Sequence, residues 1–130
     1  ILAAELGLQK KACDYVRYAS RLDLDDYNGN THEGLHMTSM AAAWMSLVYG
    51  FGGMRSDGAR LSFNPSIPAA WKSFAFRLLY RGTLIEVVVA REAAIFRRLR
   101  GGPVAFEVFG EKVTLAGNDL TVPLSARKPA

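Results

Sequence analysis

The sequence is poor in residues that staple, ligate or span. A single cysteine, Cys13, excludes an internal disulfide and fits a reducing cytoplasm. Histidine occurs only twice, at His32 and His36, so a metal site built on imidazole must complete itself with carboxylates. The longest apolar stretch, Met40 to Tyr49, contains Ser46 and falls short of the roughly 20 residues that a membrane span requires. No basic segment leads into an apolar core at the start, so no signal peptide is visible and no membrane partner is expected. There is no low-complexity run and no internal repeat. The 16 Lys and Arg against 12 Asp and Glu leave a net charge of +4, but the basic residues are scattered. Their densest group, Arg97-Arg98-Leu99-Arg100, is short. A nucleic-acid footprint needs a basic stripe with interleaved aromatics, so no nucleic-acid partner is expected.

What is present suits a folded protein. Of the 130 residues, 50% are hydrophobic and 22% charged, enough for one domain or for one small domain carrying an appendage. The chain starts at Ile1 without an initiator Met, already inside a helical pattern, and on that ground reads as a fragment.

Residues 1–51 follow a helical period. Ile1 to Leu6 reads as the tail of a helix with Gly7 as its C′ residue, where a left-handed conformation carries little strain. A second helix is expected from about Gln9 to Ser20, with Ala12, Tyr15, Val16, Ala19 and Leu22 on one stripe. Asp23 to Asn30 is a turn-forming set. A third helix is expected over Thr31–Tyr49, with Asn30 as N-cap and Glu33 three residues on as the reciprocal cap. Beyond it Leu35, Met37, Met40, Ala41 to Trp44, Leu47 and Val48 leave almost no polar face, the mark of a buried helix. Fifty residues cannot surround such a helix, so its neighbours are expected from elsewhere.

From Phe51 the period changes to that of strands. Runs over 60–64, 73–80, 84–91, 94–100, 104–109, 112–115 and 120–124 are separated by turn residues such as Asp57-Gly58, Asn64-Pro65, Arg81-Gly82 and Gly101-Gly102-Pro103. Short strands at this spacing predict an antiparallel β-sandwich. Phe74, Phe76, Leu78 and Tyr80 alternate with Ala75, Arg77 and Leu79, as in a sheet with one wet face. Ala93 to Arg100 could form a short amphipathic helix, but a strand fits better between two strand-like runs closed by Gly-Gly-Pro.

The chemistry concentrates in residues 28–39. His32-Glu33-Gly34-Leu35-His36 matches the H-E-x-x-H pattern of zinc proteases. Three features weigh against a metal there: no third histidine exists, Gly34 interrupts the platform, and no carboxylate is evident to orient a ligand imidazole. An anion site uses the same residues differently. A helix start presents unpaired N–H groups and partial positive charge; Gly34 lets an anion approach the backbone, and His36, Thr38 and Ser39 offer an imidazole and two hydroxyls. Spacing alone leaves a third reading open, in which Glu33 caps, His36 is a satisfied core histidine, and Thr38 and Ser39 allow close helix packing. Asp23, Asp25 and Asp26 read as turn and capping residues. Trp44 and Trp71 read as core aromatics rather than sugar platforms.

The order of several motifs carries a resemblance. Asp23-Leu, Gly29-Asn-Thr, Gly34-Leu-His36, Gly50-Phe-Gly-Gly, Phe63-Asn-Pro and Trp71-Lys occur as they do in glycoside hydrolase family 65, the maltose, trehalose and kojibiose phosphorylases, over roughly residues 5 to 125. The resemblance implies an α+β chain. Residues 1–53 would be the last helices of an (α/α)₆ catalytic barrel, and residues 54–130 a small, jelly-roll-like antiparallel β-sandwich. It further implies an inverting phosphorylase acting on an α-glucosidic disaccharide. Inorganic phosphate would be the co-substrate, no cofactor or metal would be needed, and the rest of the barrel would be a partner, with a homodimer open. Matched to the family's Gly-x-His-x-x-Ser, the phosphate-binding residues would be Gly34, His36 and Ser39, with Thr38 as a neighbouring hydroxyl. The resemblance places the catalytic acid upstream, so none of this chain's carboxylates takes that role. A hydrolase on the same fold, and a non-catalytic structural or carbohydrate-binding sandwich, are the competing expectations.

Overall fold

The structure, a computed structural model, describes residues 1–57 and 60–127. Gly58, part of the expected Asp57-Gly58 turn, and the last three residues of the expected sandwich lie outside the described residues. Contacts divide the chain into two units, Ile1–Phe51 and Gly52–Ala130.

The first unit is helical. Helix α1 (Leu2–Glu5) ends at Gly7, which takes φ +72°, and α2 (Gln9–Arg21) follows. Ala12 is buried and Val16, Ala19 and Leu22 are half-buried, as the stripe predicted, while Tyr15 is exposed. Lys10 pairs with Asp14 one turn along at 3.0 Å, and Tyr18 stacks on Tyr27 with centroids 5.2 Å apart.

The expected helix over Thr31–Tyr49 does not form as one piece. A single 3₁₀ turn covers Thr31–Glu33, the chain then runs non-helically through Gly34 to His36, and α3 spans only Met37–Met45 before a wide π-type turn, Ser46–Phe51. Gly34 makes the break. Its φ of +140° and ψ of +174° lie in a region essentially reserved for glycine, so helical propagation from Thr31 stops there. The expected cap fails with it: Asn30 makes no side-chain cap, and its Oδ1 is buried without a partner among the described residues.

The apolar face of α3 is uncovered within this chain, as for a helix whose neighbours are expected from elsewhere. None of its residues is buried, and Met37, Met40, Trp44 and Met45 are exposed. Trp44 is therefore not a core residue here; it meets Tyr49 edge-on at 5.9 Å. The contacts of α3 run to α2 and to the following turn, which cover only part of its surface.

The second unit is two four-stranded sheets. Strands β1 (Arg55–Asp57), β2 (Arg60–Phe63), β6 (Val104–Val108) and β7 (Glu111–Leu115) form one, in that order. Strands β3 (Ser73–Tyr80), β4 (Thr83–Ala90), β5 (Ala93–Arg100) and β8 (Asp119–Pro123) form the other. Each of the seven expected strands is found within a residue or so at either end, and 93–100 is a strand rather than a helix. Only β1 had no counterpart in the sequence reading. All neighbours pair antiparallel except β2 and β6, which run parallel. Three strands of the opposite sheet intervene between them in sequence, and so long a connection can return a strand in the same direction.

The sheets meet over an aromatic cluster. Phe63 of β2 and Phe106 of β6 pack against Phe96 of β5, with centroids 5.1 and 4.8 Å away. Strand β4 alternates strictly, burying Thr83, Ile85, Val87 and Val89. Each large apolar side chain buried this way contributes about 1.5–3 kcal/mol. The outer face of the same sheet carries charge: Glu86 of β4 accepts from Arg77 of β3 at 3.0 Å and lies 3.5 Å from Arg97 of β5. Trp71 packs edge-on against Phe74 at 6.0 Å, nearer to its expected packing role than Trp44. At the entry to the unit, Gly53 adopts φ +58° while accepting the Asn64 N–H at 3.1 Å. A side chain there would collide with the Asn64 backbone.

Candidate functional site at the turn between the second and third helices

The residues singled out in the sequence gather where α2 turns into α3. Past α2, Arg21 grips Asp25 through two donors, Nε at 2.7 Å and NH2 at 2.5 Å, which fixes the first bend. Asp26, at φ +45°, accepts the Thr31 N–H at 3.1 Å and ties down the 3₁₀ turn. Both carboxyls are held below the usual carboxylate range, Asp25 chiefly by the Arg21 guanidinium and Asp26 chiefly by the Thr31 amide.

Asp23 does something different. Its carboxylate reaches across thirteen residues to His36, accepting the backbone N–H at 2.8 Å and contacting ring Nδ1 at 2.5 Å. Its side chain is only 11% exposed, against 30% for the imidazole. Hydrogen bonding to the His36 side chain, seconded by the His36 amide, holds the Asp23 carboxyl below the usual range. His36 is the residue that precedes α3; no side chain caps that helix, and Asp23 instead ties down the residue before it.

Each expected site residue can now be placed. Gly34 lies before α3 rather than inside a helix, and a side chain there would meet nothing within 4 Å. The backbone conformation by itself calls for glycine at 34, since no protein atom crowds the position. His36 presents its ring with Nδ1 committed to Asp23, and Nε2 makes no hydrogen bond among the described residues. It is not walled in by hydrocarbon.

Thr38 is exposed on the first turn of α3. Ser39 donates its hydroxyl to the Ala19 carbonyl at 3.1 Å, fastening α3 to α2, and so has only lone pairs left to offer. The helix-start amides are largely taken: His36 by Asp23, Met37 by the Leu35 carbonyl, and Ser39 and Met40 by the His36 carbonyl. Glu33 is exposed, and its carboxylate lies 3.9 Å from the exposed His32 ring rather than on a capped amide.

The zinc geometry does not arise. With the chain broken at Gly34, His32 and His36 share no helical face, and His36 Nδ1 already has its acid partner. Among the described residues no group of three or more His, Cys, Asp or Glu is placed to hold a metal. Burial, and then Asp14, push the Cys13 thiol up, away from the thiolate form that reacts. Among the described residues no helix is long and apolar enough to cross a membrane.

What sequence reasoning missed is Asp23. It reads as a turn and capping residue, yet it caps no helix and turns to His36 instead. Three aspartates within four residues look alike, and nothing local says which one turns toward a histidine thirteen positions on. The signal available was the place of Asp23-Leu at the head of the ordered motifs.

Comparison with known proteins bears directly on this site. The profile described as "Glycosyl hydrolase family 65 central catalytic domain" matches residues 1–45, and "Glycosyl hydrolase family 65, C-terminal domain" matches residues 54–115. Maltose phosphorylase of Bacillus subtilis (strain 168) is 46% identical over 117 residues, 90% of this chain and 16% of that protein. Alpha,alpha-trehalose phosphorylase of Thermoanaerobacter brockii is 39% identical over 120 residues, 92% of this chain and 16% of that protein. A solved structure named "Putative kojibiose phosphorylase from human microbiome" superposes with a TM-score of 0.85 at 38% identity, over 93% of this chain and 17% of that one. The chain thus spans about one sixth of the length of the relatives it matches.

Proposed function

The chain belongs to glycosyl hydrolase family 65, and on that premise we propose that it is the C-terminal part of an inverting disaccharide phosphorylase, to whose phosphate site it contributes. Residues 1–53 would close the catalytic barrel and residues 54–130 form its companion sandwich. The exposed apolar surface of α3 supports this, because the remaining barrel helices would cover it.

In the reaction, a phosphate oxygen attacks the anomeric carbon of an α-glucosidic disaccharide as the glycosidic C–O bond breaks. A carboxylic acid outside this chain gives its proton to the departing oxygen. The products are a sugar 1-phosphate with inverted configuration and a free sugar. This chain's part is to hold the attacking anion. His36 is the anchor: with Nδ1–H given to Asp23, an imidazolium keeps Nε2–H to donate to phosphate, and a neutral ring keeps a lone pair there for a phosphate hydroxyl. Thr38 adds a hydroxyl on the same turn, Gly34 sets the backbone that leads into it, and Ser39 fixes α3 against α2 while offering lone pairs. Sugar contacts, and any pairing of subunits, lie with the rest of the enzyme in this reading. The lone cysteine supports a cytoplasmic location.

The observation that carries the proposal is the imidazole itself, clamped on one nitrogen, open on the other, in a chain whose named relatives are phosphorylases. The test is His36→Ala in the longer enzyme that contains this chain. The KM for phosphate should rise about 10- to 100-fold, as expected for losing a hydrogen bond to a charged group, with the far-ultraviolet circular dichroism unchanged. An unaltered phosphate dependence overturns the proposal, and sugar release without phosphate would favour a hydrolase instead.

A further inference from the structure

The clamp on His36 is more than a tie to the backbone. Holding the N–H of the residue before α3 needs only one acceptor. Asp23 spends Oδ2 on that amide at 2.8 Å and turns Oδ1 to the imidazole Nδ1 at 2.5 Å. An asparagine, among the commonest capping residues, would satisfy the first demand equally well. It would fail the second. With its oxygen on the amide, its NH₂ faces Nδ1 and can only donate. The carboxylate is nearly covered while the ring is 30% exposed, so the acid is shielded and the imidazole reaches the surface. Ser39 and the Ala19 carbonyl hold the helix that carries the ring, so the clamp rests on a fastened element.

We infer that Asp23 is a positioning residue for the phosphate site: it fixes the rotamer and the proton arrangement of His36 so that Nε2, and not Nδ1, faces the anion. The inference rests on the proposed phosphate role of His36 and adds an acid partner to it. Asp23 does not touch substrate; it acts through the ring. When the ring is charged, the carboxylate balances the imidazolium on one edge, while the other edge donates to phosphate. When the ring is neutral, the carboxylate keeps the hydrogen on Nδ1 and leaves Nε2 as an acceptor.

The test uses Asp23→Asn, which keeps an acceptor for the His36 N–H and removes the charge. In the longer enzyme containing this chain, the KM for phosphate should rise about tenfold, the difference between a charge-assisted and a neutral hydrogen bond, while the KM for disaccharide stays within about twofold. Asp23→Glu, which restores an ionised acceptor, should recover part of the loss. A structural role alone would not separate the two substrates in this way.

A second readout needs no activity. With only two histidines in the chain, nitrogen-15 spectra of its ring nitrogens can be assigned by His32→Gln. In the parent chain neutral His36 should carry its hydrogen on Nδ1, and in Asp23→Asn on Nε2. If His36→Ala raises the phosphate KM but Asp23→Asn moves neither that KM nor the ring spectrum, the positioning role is overturned and the phosphate site stands. If neither substitution affects the phosphate KM, the phosphate site itself fails, and this inference with it.

Discussion

At Gly34 the backbone sits at φ +140° and ψ +174°, with open space where a side chain would go. Conformation and crowding can therefore be separated at this position. At Gly53, by contrast, a left-handed φ and a collision with the Asn64 backbone act together. Gly34→Ala should cost about 1–3 kcal/mol through backbone strain alone, read as a lower urea midpoint for the helical unit with an unchanged slope. A neutral result would mean that the segment tolerates an ordinary residue and that glycine at 34 serves the ligand rather than the chain. The site residues are legible as letters, while their partners in the fold are not. Gly34 is expected to give an anion room, and its φ of +140° also ends a 3₁₀ turn. Ser39 is expected to offer a hydroxyl, and its hydrogen goes to Ala19.

Among elements, the strands were readable and the third helix was not, and the reason is the range over which each is decided. Strand β4 buries every second residue between turns made by Arg81-Gly82 and Arg91-Glu92, so period and punctuation agree within eight residues. The helix breaks at Gly34, and in the competition to hold the residue before α3 a carboxylate thirteen residues upstream makes the bond, rather than the local Asn30 and Glu33. No short window contains that competition. Its consequence is a dependence on pH. The Asp23 carboxyl is depressed in the folded chain, so its stabilisation of the α2–α3 turn is present above its unfolded value near about 4 and is lost as pH falls through the folded one. Asp25 and Asp26, also depressed, add to the same window. Helical ellipticity at 222 nm should therefore fall on acidification below about pH 4. Asp23→Asn, which cannot titrate, should lessen that fall without abolishing it. An acid transition identical in the two proteins would show that the carboxylate is not what holds the turn.

Over the whole molecule, the two units differ most in what they leave uncovered. Among the described residues, the exposed large hydrophobics outside residues 1–51 are Leu79 and Leu99 alone. The sandwich closes around Phe63, Phe96 and Phe106 and needs little else to bury its apolar surface. The helical unit leaves Leu2 71%, Met37 68% and Trp44 50% exposed, and apolar surface on this scale seeks a partner. In the proposed enzyme that partner is the remainder of the barrel. For the 130-residue chain by itself, the same surface predicts self-association. Sedimentation equilibrium should show a weight-average mass that rises with concentration. Met40→Glu combined with Trp44→Glu should lower it, because a charge on each of two neighbouring turns of α3 resists desolvation. Strand signals from the sandwich should be the same in both proteins. If the double variant associates as strongly as the parent chain, contacts other than the exposed face of α3 drive the assembly, and the argument that this face awaits the rest of a barrel loses its footing.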